Sequence, residues 1–343
     1  MRKLQNYTRC MVCNSTEKFI LATREQLASE QKYLDRLFRQ LFLPESPDYM
    51  LKDHIYFTHS YEAQLVVCKN CGLVCRDPRL SPESALQEYS QDEYHPEWLA
   101  ASFKPYRDSF RSQMPKLLKK VGKRARVLEV GSQVGGFLEA AKEYGWHAQG
   151  VDVGHSVSNF ARSKGLDVFT GTLTDAHLPS SSFDAVFVWS CFEMLPDPWA
   201  ELKEVHRLLT DGGWLFISVP NGDFIKLIQP FTQIRKQNPL QEHLWKFLAY
   251  AILLGFAFQL GYTPSTLRYI LGKSGFRNIE VRNQQYIPIT APEYVYPWVI
   301  REKSRYLKSV HYLSEIFYYI SLCTFIKGPW IEVSCRKNID TIW

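Results

Sequence analysis

The chain lacks any apolar run long enough to cross a membrane. Its most hydrophobic stretch, Phe247 to Phe258, stops short of the roughly 20 residues a spanning helix needs, which leaves a buried helix or an interfacial segment. The opening residues, Met1 to Thr8, carry no apolar segment, so no secretory leader is expected and a cytoplasmic setting, with peripheral membrane contact through 247–258, is the expectation. There is no internal repeat and no low-complexity tract, which excludes a repeat architecture. No dense Lys/Arg stripe with interleaved aromatics surrounds the cysteines, which disfavours nucleic acid as a partner. A net charge of +6 spread over 343 residues reads as an ordinary solvated surface. With 45% hydrophobic and 22% charged residues, the composition is that of a soluble globular protein with one sizeable core and a smaller module.

Cysteine is where the composition becomes specific. Of eight cysteines, four form two pairs, Cys10/Cys13 and Cys68/Cys71, each separated by two residues. In a reducing compartment such pairs read as metal ligands before disulfides. Each pair places two thiolates on a knuckle, and two knuckles make a tetrahedral S4 site for Zn2+, structural because four thiolates leave no open position. The alternative is four free core cysteines. Gln64 to Val67 reads as a strand before the second knuckle, and Gly72-Leu73-Val74 as its turn and return strand. Arg24 to Leu43 has a helical pattern and reads as an insertion between the knuckles. Cys75 reads as a bystander thiol.

From Ser84 to Lys120 the pattern is helical but is expected to be interrupted at Pro96, Pro105 and Pro115. Tyr89, Tyr94, His95 and Trp98 make it either a packing collar or a substrate-facing lid. The stretch Arg126 to Phe137 follows: an apolar run ending in Glu129, a loop with Gly131, Gly135 and Gly136, then an amphipathic run. That order is a buried strand, a tight turn and a helix start. About twenty residues on, a second strand ends in Asp152, an acid able to accept from ribose hydroxyls. Strand and helix patterns then alternate through Pro220, which predicts a mostly parallel sheet covered on both faces, with ligands outside the carboxyl ends of the strands. Thr263 and Pro264 open a capped helix, Gly275 to Val281 returns as a strand, and Gly328 to Cys335 reads as its antiparallel partner. The predicted divisions are a zinc-binding module over 1–80, a helical linker or lid over 81–122, a Rossmann-like core over 123–225, and a substrate-side helical cap with the last strands over 226–343.

Five ordered segments, Glu129 to Gly131, Gly150 to Asp152, Phe183 to Val186, Pro196 to Pro198 and Leu208 to Gly213, resemble the motifs of class I S-adenosylmethionine-dependent methyltransferases. With the cysteine pairs, Gly171 to Ala176 and Gly275-Phe276, the chain is similar to the zinc-module methyltransferases of sugar, polysaccharide and natural-product pathways. The resemblance implies an α/β fold with a seven-stranded mostly parallel sheet, an N-terminal zinc ribbon-like module and a C-terminal helical insertion. It implies that Glu129, Gly131 and Gly135 hold the methionine end of S-adenosylmethionine, with Gln133 in the same loop. Asp152 would take the ribose hydroxyls, Val153 would pack on adenine, Thr172 and Leu173 would line its edge, and Trp189 and Ser190 would sit beneath the sulfonium.

Two departures stand out. Gln133 replaces the middle glycine of the loop, and the histidines that sugar-modifying relatives carry around Glu193 are absent. Glu193 and His243 are the candidate catalytic residues, with Tyr89, Tyr94 and His95 in reserve. The expected acceptor is a small molecule, a sugar or glycan-linked intermediate, by O- or C-transfer. An RNA methyltransferase and a non-catalytic S-adenosylmethionine-binding protein are the competing readings. Nothing in the sequence fixes the oligomeric state.

Overall fold

A computed structural model describes residues 3–39, 62–232, 258–284 and 328–338, with the isolated helical positions Ile316 and Ile320. The chain begins with β1 (Leu4–Gln5), β2 (Lys18–Ala22), α1 (Arg24–Arg39), β3 (Gln64–Cys68), β4 (Val74–Asp77) and β5 (Arg79–Leu80). β2, β3 and β4 form an antiparallel sheet, and β1 pairs with β5. Helix α1 takes up most of the predicted Arg24–Leu43 segment; the rest of that segment lies outside the described residues.

Next come α2 (Pro82–Ser90) and α3 (Pro96–Val121). Each starts with a proline in its first turn behind a capping residue, Ser81 and His95, where the missing N–H costs nothing. The expected break at Pro96 is therefore real, but α3 runs on unbroken through Pro105 and Pro115. A proline inside a helix forfeits a hydrogen bond and crowds the preceding turn. Here the buried stripe Trp98, Leu99, Ser102, Pro105, Phe110, Met114 and Leu117 recurs at helical spacing and anchors the whole length against the core. Burial worth roughly 1.5–3 kcal/mol per large apolar side chain outweighs the two defects.

The core alternates β6 (Arg126–Val130), α4 (Gly136–Glu143), β7 (His147–Asp152), α5 (His155–Ser163), β8 (Asp167–Thr170), β9 (Phe183–Trp189), α6 (Pro198–Leu208), β10 (Leu209–Pro220) and α7 (Gly222–Thr232). It ends with β11 (Leu260–Gly261), α8 (Pro264–Lys273), β12 (Phe276–Asn283) and β13 (Trp330–Lys337). Seven strands form one sheet in the order β12-β13-β10-β9-β6-β7-β8. The five from β10 to β8 are parallel, and β13 is antiparallel to both β10 and β12. The predicted α/β sheet and the late antiparallel pair are both present. The strand order reverses between β6 and β9, which opens a crevice at the carboxyl ends of those strands.

Two apolar layers cover the sheet. One holds Phe110, Met114 and Leu117 of α3 with Phe137, Phe187, Trp189 and Phe216. The other runs from Leu128, Val186 and Ile217 directly into Cys10, Val12, Val66, Cys68 and Leu73 of the N-terminal module. The two parts of the chain thus share one core. β11 tightens the join by pairing antiparallel with β4, Leu260 opposite Cys75 and Gly261 opposite Val74. A segment expected in the C-terminal cap is therefore the edge strand of the cysteine-bearing sheet.

Candidate active site

The turn after β6 shapes the centre of the crevice. Gly131 at φ 73 and Gly135 at φ 80 lie in the left-handed region, and a Cβ on Gly131 would come within 2.8 Å of the Cys191 sulfur. Glycine is required there by both conformation and space. Gly135 caps α4 without a side-chain bond, so the first amides of that helix are left for other acceptors. Gln133 also sits at positive φ, 46°, where a side chain is strained by about 1–2 kcal/mol. Its backbone amide donates to Asp152 Oδ2 at 2.7 Å, and Gly154 donates to Oδ1 at 2.8 Å. Because the backbone of Gln133 makes this contact, Gln133→Gly should leave the affinity of the crevice for a nucleoside ligand within about threefold, under 1 kcal/mol. Calorimetry showing a larger loss would put the Gln133 side chain on the ligand.

Asp152 ends β7 with each oxygen committed to one amide and a lone pair left on each for another donor. Its carboxyl is pushed up to about 6, first by loss of surrounding water; the two amides oppose this, and the charge of Asp92 adds to it. Glu129, at the end of β6, is 3% exposed. It is raised well above the ordinary carboxylate range by burial and then by the Asp152 charge. Its Oε2 and the Ser132 hydroxyl have no hydrogen-bond partner among the described residues. Buried orphan polar atoms at the mouth of a glycine turn mark a place where a ligand completes the hydrogen bonding. Ser132 was not singled out from the sequence, although it lies inside the loop that was.

The other candidates lie at the carboxyl ends of the neighbouring strands. Val153 follows Asp152 and is half-buried, and Thr172 and Leu173 follow β8. The Thr172 hydroxyl is bound to Asp175 Oδ2 at 2.6 Å, and Leu173 is packed with Val130 and Val151 in the core. Trp189 ends β9 inside a cluster with Phe110, Phe137, Phe187 and Phe216, and its Nε1 has no partner among the described residues. Ser190, exposed and at φ 51, is the first residue beyond that strand. The structure thus gathers Glu129, Gly131, Gln133, Gly135, Asp152, Val153, Thr172, Leu173, Trp189 and Ser190 along one edge of the sheet.

Glu193 does not share that open edge. It is fully buried, neither carboxyl oxygen has a partner among the described residues, and its carbonyl accepts from the amides of Gln259 and Leu260 at the start of β11. Burial pushes its carboxyl up to about 8, which favours the protonated form at pH 7. The fully buried Tyr262 hydroxyl, also without a partner among the described residues, lies in its field. A raised acid favours the folded state while protonated, and that contribution is lost as pH rises through about 8. The ligand-free melting temperature should therefore fall by several degrees between pH 6 and pH 9. Glu193→Gln should flatten that fall, and equal slopes for the two proteins would contradict the assignment. His243 lies outside the described residues, as does nearly all of the apolar run 247–258. No helix among the described residues is long and apolar enough to cross a membrane.

The four paired cysteines converge. The sulfurs of Cys10, Cys13, Cys68 and Cys71 all lie within 4.8 Å of one another, with Cys10–Cys71 and Cys13–Cys68 each at 3.5 Å. The two knuckles repeat one geometry. Asn14 N bonds Cys10 O and Gly72 N bonds Cys68 O, with Asn14 at φ 60 and Gly72 at φ 80. Core side chains hold both knuckles: Trp199 Nε1 donates to Met11 O at 2.6 Å and Thr266 Oγ1 to Cys71 O at 2.7 Å. Cys75 is buried nearby, and burial raises its thiol.

The sheet order, the glycine turn and the acid ending the next strand define a class I S-adenosylmethionine-dependent methyltransferase. The chain belongs to the methyltransferase-domain family, whose model matches residues 104–281, just over half of the sequence. Among curated proteins, a ubiquinone biosynthesis O-methyltransferase of Hahella chejuensis is 30% identical over 133 residues, 35% of this chain and 55% of the relative. One of the same name from Xanthomonas oryzae is 35% identical over 104 residues, 28% of this chain and 44% of the relative. The chain spans about half the length of the curated relatives it matches. Among solved structures, phosphoethanolamine N-methyltransferase 2 of Haemonchus contortus, in complex with S-adenosyl-L-methionine, aligns over 77% of this chain and 63% of that one. Its TM-score is 0.50 at 18% identity, a likeness of fold.

Proposed function

We propose that this methyltransferase acts on a small-molecule hydroxyl, on a sugar or glycan-linked acceptor, and that a structural Zn2+ braces its substrate side. The observation that carries the cofactor reading is Asp152, held by the Gln133 and Gly154 amides with lone pairs free, beside the orphaned Glu129 and Ser132. When bound, S-adenosylmethionine supplies an activated methyl group. Asp152 would accept hydrogen bonds from the ribose hydroxyls, Glu129 would meet the cationic methionine end, and the first amides of α4 would supply donors. The acceptor hydroxyl must give up a proton, and burial, which favours the protonated form of Glu193, makes that carboxyl less available as a base for it than its sequence position suggests. His243 is assigned that role on sequence likeness alone. The O-methyltransferase names of the relatives support transfer to oxygen, and the cysteine pairs support the sugar-pathway likeness.

Zinc fits the four thiols. Zn–S bonds of about 2.3 Å in a tetrahedron put the sulfurs about 3.8 Å apart, close to the spacing in this cluster. The test of the acceptor is transfer of label from methyl-tritiated S-adenosylmethionine to nucleotide sugars, phenols and bulk tRNA offered side by side. Transfer to a sugar hydroxyl is expected. Label on phenols alone would overturn the sugar reading, and label on tRNA the small-molecule one.

A further inference from the structure

The collar segment between α2 and α3 holds a contact that its sequence gave no reason to expect. Helix α5 begins three residues after the acid Asp152, and its N-cap, Gly154, has no side chain to cap it. The cap comes instead from Asp92, far upstream. Asp92 Oδ1 accepts from Ser156 N at 2.8 Å, and Oδ2 accepts from Ser156 Oγ at 2.6 Å and Val157 N at 3.1 Å. These are the second and third residues of α5, the positions an N-cap side chain serves. A Cβ at Gly154 would lie 2.8 Å from Asp92 Oδ2 and 3.1 Å from Asp152 Oδ1. The glycine therefore leaves room for two carboxylates to share one helix start. Tyr94 and Trp98 continue the contact. They stack at 4.3 Å and pack with Leu99 against Val134 of the glycine loop and Val157 of α5. The aromatics that suggested a substrate-facing lid thus lie against the cofactor loop, and His95 caps α3 through Glu97 N.

We propose that Asp92 is a latch: a positioning residue that fastens the segment 91–98 over the ribose side of the cofactor site, so that cofactor release requires the Asp92–α5 contact to open. The proposal rests on the reading that Asp152 binds the ribose. The same proximity explains why the Asp92 charge raises Asp152. Asp152 takes the Gly154 amide and Asp92 takes those of Ser156 and Val157, all within one turn at the start of α5.

The test uses the full-length, zinc-loaded protein with S-adenosylhomocysteine as probe and stopped-flow fluorescence as readout. Asp92→Ala should raise the dissociation rate about tenfold, the factor equal to about 1.4 kcal/mol, while association changes little and zinc content is unchanged. Limited proteolysis within 88–98, suppressed by the probe in the wild-type protein, should no longer be suppressed. Asp92→Asn can keep the bond from Ser156 N on its remaining oxygen and can donate from Nδ2 to Ser156 Oγ, but loses the bond from Val157 N, so an intermediate rate is expected. It also carries the test if the alanine variant does not fold. A dissociation rate within twofold of wild type in the folded alanine variant, or in Asp92→Asn if that variant alone folds, overturns the latch. Full probe binding by Asp152→Ala would instead overturn the ribose reading.

Discussion

Asp152→Ala is expected to weaken S-adenosylmethionine binding by more than about a hundredfold, enough to abolish methyl transfer at micromolar cofactor. Hydrogen bonds to a charged group are worth about 1.5–3 kcal/mol each, and two ribose hydroxyls would lose theirs together. The substitution also strands the Gln133 and Gly154 amides that now meet the carboxylate. Isothermal titration at pH 7.5 checks the result, and a loss under tenfold would remove Asp152 from the cofactor site. The wild-type protein adds a pH signature. With Asp152 pushed up to about 6 when free of ligand, its accepting form is depleted as pH falls, so affinity should drop below pH 6.

The second large effect concerns the cysteines. Cys68→Ser should remove close to one zinc per chain and lower the melting temperature by about 10 °C or more. Structural zinc contributes up to roughly 10–16 kcal/mol in small domains folded around it. Here the sulfurs also belong to the apolar layer that covers the sheet, so the damage should not stay local. Metal analysis with differential scanning calorimetry decides it. Wild-type protein purified without a chelator and free of zinc, with an unaltered melting temperature in Cys68→Ser, would refute the metal site.

Much of this architecture is legible in the sequence. The parallel centre of the sheet is readable because β6, β9 and β10 carry short apolar runs bounded by glycine, acid or proline, and parallel strands buried on both faces leave that mark. The cysteine cluster was readable because knuckle chemistry is local. The unbroken α3 was not, because the rule that prolines interrupt helices is local and the stripe from Trp98 to Leu117 that overrides it gains its value only against the sheet. Glu193 reads from its motif as a participant in chemistry, but its full burial beside β11 is not written in a five-residue window. Asp92 left no signal at all, since its partners Ser156 and Val157 are more than sixty positions away. The pairing of Leu260–Gly261 with β4 was hidden for the same reason.

That last pairing bears on how the chain can be cut. A fragment ending near residue 80 would keep all four cysteines yet bare one flank of β4, and an unpaired strand flank invites aggregation. It would also strip Arg76, 3% exposed, of the Phe258 carbonyl that its guanidinium bonds at 3.0 Å. The cysteine-bearing sheet is therefore not a cassette that could be shuffled between enzymes or expressed alone. Its last stitch is encoded inside the methyl-transfer domain, ahead of the last two strands of the large sheet, so the two parts stand, and fail, together.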